Sequence, residues 1–239
     1  MEKWHDKTLW YSTKYAMSFE VLPLLAYNIA NIIKALLGRT QKCLVLDLDN
    51  TIWGGLIGEQ GLSGLEIGKD TPIGEAFTEF QNYIKKQKQI GVLLAVNSKN
   101  DYDKAIAGLN HPEGTLKPED FLVIKANWND KDKNIREIAI ELNLLPESFV
   151  FVDDNPVERD IVLSNNPGIA APFIGKIENY IRVIDKAGYF EVTNLSEDDI
   201  KRNEMYKVDL DRMQMRKKKL AMIITIPTFW IYKKTEMPL

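Results

Sequence analysis

The sequence predicts a doubly wound, Rossmann-like α/β fold built on a five-stranded parallel sheet with helices on both faces. Three observations lead to this class. The chain has 239 residues, 45% of them apolar, which is enough for a sizeable core. Its short apolar runs are typical of strands that are buried on both faces. Amphipathic helical patterns alternate with these runs, and such alternation indicates a parallel sheet covered by helices.

The predicted elements follow one another along the chain. An N-terminal helix is expected over residues 22–37, because apolar residues recur there at helical spacing and Gly38 follows as a stop signal. The predicted strands are residues 43–48, 92–96, 121–124, 149–152 and 169–174. The other predicted helices are residues 73–88, 101–109, 134–144, 156–163 and 198–219. Pro227 argues against a regular helix through the last residues.

These elements divide the chain into three parts. We expect an N-terminal helical segment at residues 1–40, the α/β domain at residues 41–190, and a C-terminal helical extension with an unassigned tail at residues 191–239. The tail at residues 220–239 matches no pattern that we can interpret. Because the chain starts close to its first helix, we expect a domain cut from a longer protein with additional domains.

Composition narrows the partners and the compartment. The chain carries 31 Lys and Arg against 34 Asp and Glu, a net charge of −3, so neither a nucleic acid nor a membrane is an expected partner. A single cysteine, Cys43, and two distant histidines exclude an intramolecular disulfide and a multi-cysteine zinc site. We find no signal peptide and no run of about 18 to 20 uninterrupted apolar residues, so the expected compartment is the cytoplasm.

Acidic residues gather where the predicted strands end, which is the edge at which parallel sheets bind ligands. Asp47 and Asp49 follow the first strand, and Asp153 and Asp154 follow the fourth. Neighbouring carboxylates in a region of low dielectric repel each other unless a cation lies between them. Because Mg²⁺ takes oxygen ligands from carboxylates and phosphate, the pattern predicts a magnesium site at this edge.

Two further residues could hold an anion at the same edge. Ser98 follows the second strand and could offer its hydroxyl group, although it could equally cap the helix that begins near residue 101. Lys131 precedes a predicted helix, where its ammonium group and the positive end of the helix dipole could meet phosphate oxygens. The spacing alone does not choose Lys131 over Lys133.

These residues occur in an order that matches a known family. LVLDLDNT at residues 44–51 resembles the first motif, Asp-x-Asp-x-Thr, of the haloacid dehalogenase superfamily of phosphatases. VNS at residues 96–98, Lys131 and FVFVDDN at residues 149–155 resemble its second, third and fourth motifs. The longer strings CLVLDLDNTIWGG, VNSKND and FVFVDDNPVERD are similar to the FkbH-like branch, which is associated with polyketide and related biosynthesis. The resemblance covers residues 22–213.

The resemblance implies a role for each matching residue in the reaction. Asp47 would be the nucleophile that forms an aspartyl phosphate. Asp49 would be the general acid that protonates the leaving oxygen and then the base that activates water. Ser98, Lys131 and Thr51 would bind the phosphate.

The resemblance also implies how Mg²⁺ is bound. Its ligands would be the Asp47 carboxylate, the Asp49 backbone carbonyl and Asp153, with Asp154 nearby. This set agrees with the chemistry, because catalysis of phosphoryl transfer consists mostly of positioning and charge neutralisation.

The glycine-rich segment TIWGGLIGEQGLSGLEIG, residues 51–68, is expected to form a turn and a small flap hairpin beside the nucleophile. Superfamily members often insert a cap domain in this flap or between the second and third motifs. Both stretches are short here, so we expect a capless enzyme. An open site favours a substrate that brings its own lid, such as a carrier-bound group.

Three functions remain as alternatives. The first is a magnesium-dependent phosphatase that acts on a sugar phosphate or another small phosphorylated metabolite. The second is the phosphatase module of a glyceryl transferase, which loads a three-carbon unit onto an acyl carrier protein. Such loading needs a thiol, and Cys43 is expected to lie buried at the amino end of the first strand, away from the catalytic edge. The third is a non-catalytic binding domain, which the intact pair Asp47 and Asp49 disfavours.

Overall fold

The computed structural model describes residues 4–234, and for residues 222–234 it describes the backbone only. Within this range the sheet has four parallel strands in the order β3-β2-β1-β4. The strands are β1 Cys43–Leu46, β2 Leu93–Ser98, β3 Val123–Ala126 and β4 Phe149–Val152. The α-helices are α1 Lys7–Thr13, α2 Leu22–Leu36, α3 Ile57–Gln60, α4 Pro72–Gln89, α5 Tyr102–Leu109, α6 Lys131–Leu142, α7 Pro156–Asn165, α8 Tyr180–Lys186 and α9 Glu197–Lys234.

Helices cover both faces of this sheet, as the sequence predicts. Leu44 and Leu46 of β1 point into one buried cluster, which α4, α5 and α8 help to form. Cys43 and Val45 point into a second cluster on the other face, which includes residues of α6 and α7. Because alternate residues of a strand face opposite sides, an uninterrupted apolar run buries both faces of the sheet.

The predicted fifth strand forms only a single bridge. Ala170 pairs in parallel with Val150 of β4. The amide group of Phe151 donates to the carbonyl oxygen of Ala170 at 2.7 Å. The amide group of Ala170 donates to the carbonyl oxygen of Phe149 at 3.1 Å. Pro172 follows two residues later and has no N–H to continue the ladder. Residues 169–174 therefore lie along the edge of β4 without becoming a strand.

The predicted flap hairpin is also replaced, in this case by helical turns. Residues 51–68 contain α3 and the 3₁₀ turn Leu62–Gly64, framed by one antiparallel bridge between Gly54 and Glu66. Gly54 is needed there, because a Cβ atom at this position would lie 2.9 Å from the ring of Phe77. The flap is thus a short helical loop, and α5 and β3 are the regular elements between the second and third motifs.

Helix α2 matches the predicted N-terminal helix, but its apolar stripe is only partly covered. Ile33 is 50% exposed and Leu36 is 68% exposed. The Tyr27 hydroxyl group donates to the carbonyl oxygen of Ala187 at 2.8 Å and ties the helix to α8. In the described part of the chain one segment, Phe19–Leu36, is long and apolar enough to cross a membrane, judged by length and composition alone.

Helix α9 extends beyond its predicted end. The prediction placed it at residues 198–219, whereas the helical backbone continues to Lys234 and includes position 227. The expectation that Pro227 interrupts the helix is therefore wrong. A proline inside a helix removes one backbone hydrogen bond, and the remaining bonds can preserve the helical path.

Candidate active site

The centre of the site is the loop that leaves β1. The amide group of Asp47 donates to the carbonyl oxygen of Val152 at 2.9 Å, so the first residue of the loop is still hydrogen-bonded to the last residue of β4. Asn50 then adopts a positive φ of 52° as the chain turns away from the strand. Because β1 and β4 are parallel, with Leu46 opposite Val152, the carboxylates that follow the two strands lie at the same edge of the sheet.

Three carboxylates meet at this edge. Each of Asp47, Asp153 and Asp154 offers an oxygen within 4.8 Å of the other two. The Lys131 ammonium group lies 3.0 Å from Asp47 Oδ2 and 2.6 Å from Asp153 Oδ2. Asp47, Asp153 and Lys131 are all buried. When all four groups are charged, the cluster has a net charge of −2.

The electrostatics of the cluster reflect this excess of negative charge. Burial and the neighbouring Asp47 carboxylate raise the pKa of Asp153 to about 6, although Lys131 acts in the opposite direction. The same two causes raise the pKa of Asp154. Burial would lower the pKa of Lys131, but the Asp47 and Asp153 carboxylates outweigh it, so this pKa is raised. One ammonium group therefore does not fully compensate the three carboxylates.

The donor set fits a hard divalent cation. Asp47 Oδ1 is buried and accepts no hydrogen bond. A buried carboxylate oxygen without a partner is costly, and a cation beside it would remove that cost. Carboxylate oxygens are the protein ligands that Mg²⁺ prefers, and a charge of +2 would neutralise the cluster.

Asp49 does not belong to this acidic cluster. Its Oδ1 accepts hydrogen bonds from the Trp53 indole N–H at 2.8 Å and from the Ile57 amide group at 3.2 Å. Its Oδ2 accepts one from Asn100 Nδ2 at 3.0 Å. The side chain of Asp49 therefore faces the flap and the loop after β2, which separates it from the group of side chains that could hold a metal.

Of the predicted phosphate ligands, the structure brings two to the cavity and leaves one behind it. Ser98 and Lys131 both line an open cavity of about 400 Å³ beside Asp47 and Asp49. Thr51 is fully buried, and its Oγ1 accepts a hydrogen bond from the Asp154 amide group at 3.3 Å. Its position therefore indicates that it supports the loop after β4.

Only one of the two candidate lysines reaches the site. Lys131 is the first residue of α6 and turns its side chain inwards, with 3% of the residue exposed. The Lys133 ammonium group pairs with Asp130 at 2.6 Å on the surface. Two residues correspond to about 200° of rotation around a helix, so the two side chains leave opposite faces of α6.

Several supporting residues were not identified from the sequence. Asn134 Nδ2 donates to Asn97 Oδ1 at 3.0 Å, and Asn97 Nδ2 donates to the backbone carbonyl of Lys131 at 2.9 Å. Arg159 Nη1 donates to the backbone carbonyl oxygens after β4, at Asp153 and Asp154. Trp53, Asn100 and Arg159 all lie within the strings that resemble the FkbH-like branch. Their place in those strings was the one feature of the sequence that could have pointed to them.

A cleft of about 490 Å³ lies elsewhere, between α4 and α9 near the amino ends of the strands. In it, Asp120 forms ion pairs with Lys88 at 2.7 Å and with Lys85 at 3.6 Å. Although this cleft is larger, it does not contain the carboxylate cluster. The cavity beside Asp47 is therefore the candidate active site.

The parallel sheet, the order of the motifs and the cluster of carboxylates with one lysine define a hydrolase domain of the haloacid dehalogenase type. The chain is similar to the N-terminal part of the protein BF1531 from Bacteroides fragilis, which contains a phosphatase domain and was crystallised in complex with Mg. The identity is 39% and the TM-score is 0.76, over 80% of this chain and 51% of that one. The chain thus spans about half the length of that structure. This similarity and the order of the motifs support a hydrolase of the haloacid dehalogenase type.

A second structure, of a predicted HAD-like family hydrolase from Porphyromonas gingivalis, is much less similar. Its identity is 17% and its TM-score is 0.40, over 62% of this chain and 97% of that one. At this score it adds nothing to the assignment. No model of a protein family matches the chain, and no curated protein matches it.

Proposed function

We propose that this chain is a magnesium-dependent phosphatase that hydrolyses phosphate monoesters through an aspartyl phosphate on Asp47. The observation that carries the proposal is the acidic cluster with its net charge of −2, in which Asp47, Asp153 and Lys131 are buried and Asp47 Oδ1 has no partner. A cluster of this charge needs a cation, and the cavity beside it has room for a phosphate group. The Mg reported for the BF1531 structure supports the same choice of metal.

Asp47, Asp153 and Asp154 are the side chains that would hold Mg²⁺, together with the backbone carbonyl of Asp49 that the family resemblance implies. When bound, the ion supplies positive charge that offsets the negative charges of the carboxylates and the phosphate. Lys131 already bridges Asp47 and Asp153, so its ammonium group is placed to meet a phosphate oxygen that approaches Asp47.

The residues of the cavity can divide the reaction into two steps. In the first, a carboxylate oxygen of Asp47 forms a bond to phosphorus while the bond to the ester oxygen breaks, and Asp49 gives its proton to that oxygen. In the second, Asp49 takes a proton from water, the water oxygen attacks phosphorus, and the bond to Asp47 breaks. Inorganic phosphate leaves, and both aspartates return to their starting states.

The substrate that we propose is a sugar phosphate or another small phosphorylated metabolite. The cavity is open, and the rim residues Lys99 and Glu158 form an ion pair of 2.6 Å. A substrate joined to a carrier would also fit, because the described residues place no cap domain over the cavity. We propose the cytoplasm as the compartment, since a single cysteine leaves no intramolecular disulfide for an oxidising environment to form.

On the resemblance to the FkbH-like branch, we also propose a narrower role as the phosphatase module of a glyceryl transferase. In that role another protein or domain would supply the thiol, because Cys43 is the one cysteine of the chain and is fully buried in β1. Burial raises the pKa of its thiol group, which makes the reactive thiolate scarce. A non-catalytic binding domain is less well supported, because Asp47 and Asp49 are both present and both line the cavity.

The test is phosphate release by the purified chain from p-nitrophenyl phosphate, sugar phosphates and phosphoglycerates, with Mg²⁺ or with EDTA. We expect turnover that EDTA abolishes and that added Mg²⁺ restores. Asp47→Asn should lose nearly all activity, whereas Asp130→Asn, at an exposed carboxylate outside the cavity, should keep it. If Asp47→Asn retained more than about a tenth of the wild-type rate, Asp47 would not be the nucleophile, because covalent catalysis contributes far more than tenfold.

A further inference from the structure

The carboxylate of Asp49 is held by donors from two different segments. Trp53 and Ile57, on the flap side, both donate to Oδ1. Asn100, in the loop after β2, donates to Oδ2. Trp53 is fully buried and Asn100 is 4% exposed, so neither donor is free to turn away into solvent. The orientation of this carboxylate is therefore fixed by the surrounding fold.

The two oxygens of Asp49 are consequently not equivalent. A carboxylate oxygen has two lone pairs in its plane, and two donors occupy those of Oδ1. Oδ2 receives a single donor and keeps one lone pair open. A proton on Asp49 would therefore sit on Oδ2, the oxygen with the free position.

Asn100 connects Asp49 with a second functional group. Its Nδ2 also lies 3.2 Å from Ser98 Oγ, so one NH₂ group donates both to the acid–base carboxylate and to the serine hydroxyl. Because ionised Asp49 Oδ2 can only accept a hydrogen bond, the NH₂ group of the Asn100 side chain, and not its oxygen, must face it. Ser98 Oγ accepts a hydrogen bond from Asn100, so the hydrogen of the Ser98 hydroxyl group is available to donate to another acceptor. Ser98 lines the cavity, where such an acceptor could bind.

We propose that Trp53 and Asn100 are positioning residues for the phosphatase reaction. They hold Asp49 so that Oδ2 exchanges the proton with the leaving oxygen and then with water. Asn100 also orients the Ser98 hydroxyl group as a donor to the bound phosphate. This inference rests on the proposed function, because it assumes that Asp49 is the general acid and base.

The physical effect of losing either donor follows from this geometry. Without the Trp53 N–H or the Asn100 amide group, the carboxylate can rotate about its side-chain bonds, and Oδ2 spends less time near the leaving oxygen. General acid–base catalysis contributes about 10²–10⁴-fold, so partial loss of orientation should cost about tenfold or more. The loss should be large for a poor leaving group and small for p-nitrophenol, which needs little protonation.

The experiment compares four variants on p-nitrophenyl phosphate and on an alkyl phosphate such as glycerol 3-phosphate, with Mg²⁺ present. Trp53→Phe removes the indole N–H and keeps an aromatic ring, and Asn100→Ala removes the shared amide group. Asp49→Asn measures the full acid–base contribution. Tyr180→Phe is the matched control, because it removes a hydrogen bond of 3.0 Å to the Asn50 backbone in the same loop without touching Asp49.

We expect Trp53→Phe and Asn100→Ala to lower kcat on the alkyl phosphate at least about tenfold more than on p-nitrophenyl phosphate. Inhibition by inorganic phosphate should weaken in Asn100→Ala, through Ser98, and stay unchanged in Trp53→Phe. Tyr180→Phe should affect both substrates equally.

Equal losses on the two substrates in Trp53→Phe and Asn100→Ala would overturn the proposal, as would unfolding of both variants in a thermal melt, since either outcome assigns these residues a structural role. If inhibition by inorganic phosphate were unchanged in Asn100→Ala, the proposal that Asn100 orients the Ser98 hydroxyl group toward the phosphate would be refuted. If Asp49→Asn itself did not discriminate between the substrates, the proposed function would fail instead, because Asp49 would then not be the acid.

Discussion

The charge imbalance of the acidic cluster makes the stability of the metal-free protein depend on pH in an unusual direction. The pKa of Asp153 is raised to about 6 in the folded protein, against 3.8 as the ordinary value. Between these two values the folded state binds more protons than the unfolded state. The contribution of Asp153 to the free energy of unfolding is therefore fully present below about pH 3.8 and is lost as the pH rises through about 6.

The size of this effect follows from the shift. A difference of about two pKa units at a fully buried carboxyl group corresponds to about 3 kcal/mol. For a chain of this length that is about 6–12 °C in melting temperature. Mg²⁺ acts in the opposite direction, because it binds the ionised carboxylate and competes with the proton. Below pH 6 its affinity should fall by about tenfold per pH unit for one competing proton.

The assay is thermal and urea unfolding at pH 4.5, 6.0 and 7.5, each with EDTA and with Mg²⁺. Asp153→Asn is the reference, because its side chain cannot titrate. In EDTA the wild-type protein should lose about 2 kcal/mol relative to Asp153→Asn between pH 4.5 and 7.5, because part of the full effect falls below pH 4.5. Mg²⁺ should raise the melting temperature of the wild-type protein at pH 7.5, have little effect at pH 4.5, and have little effect on Asp153→Asn at either pH.

Two results would refute this reasoning. One is a difference in the free energy of unfolding between the wild-type protein and Asp153→Asn that does not change with pH. It would mean that the ionised Asp153 carboxylate does not destabilise the folded protein. The other is an equal shift with Mg²⁺ at pH 4.5 and 7.5, which would mean that the ion binds away from the cluster.

Three further outcomes are expected. Lys131→Ala should impair turnover and inhibition by phosphate much more than Lys133→Ala, in steady-state assays; the reverse ranking would assign the phosphate to the surface lysine. Cys43→Ser should keep the phosphatase rate near wild type and lose about 1–3 kcal/mol in urea unfolding, and mass spectrometry should find no thioester on Cys43 after incubation with an acyl phosphate. Asn134→Ala should cost about 1–3 kcal/mol, because it leaves the buried Asn97 carbonyl oxygen without its donor; a neutral effect on unfolding would show that this network relaxes around the gap.

The regular part of the fold was largely predictable, because burial on both faces leaves a direct mark on the sequence. The run that became β4 was predicted with its observed bounds, and β1 starts where expected at Cys43. The errors fall where local pattern and backbone bonding disagree. Residues 169–174 are apolar enough for a strand, but the missing N–H of Pro172 limits them to one bridge. The flap has the glycines of a hairpin, yet it forms the helical turn α3.

The stripe of α2 shows a different limit of the sequence. Spacing predicts which residues share a face of the helix, and the structure confirms the helix itself. The pattern does not say what covers that face, and Ile33 and Leu36 remain half or more exposed in the described residues.

The carboxylates of the site could be located from the residue pattern alone, because Asp47 and Asp153 each follow a buried strand and parallel strands end at a common edge. Which other groups meet them depends on how the elements pack in three dimensions. Lys131 reaches the cluster and Lys133 does not, because the docking of α6 turns one face inwards. Asn100 meets Asp49 from 51 positions away in the chain. Such contacts depend on how whole elements pack, and no local pattern of residue types records that packing.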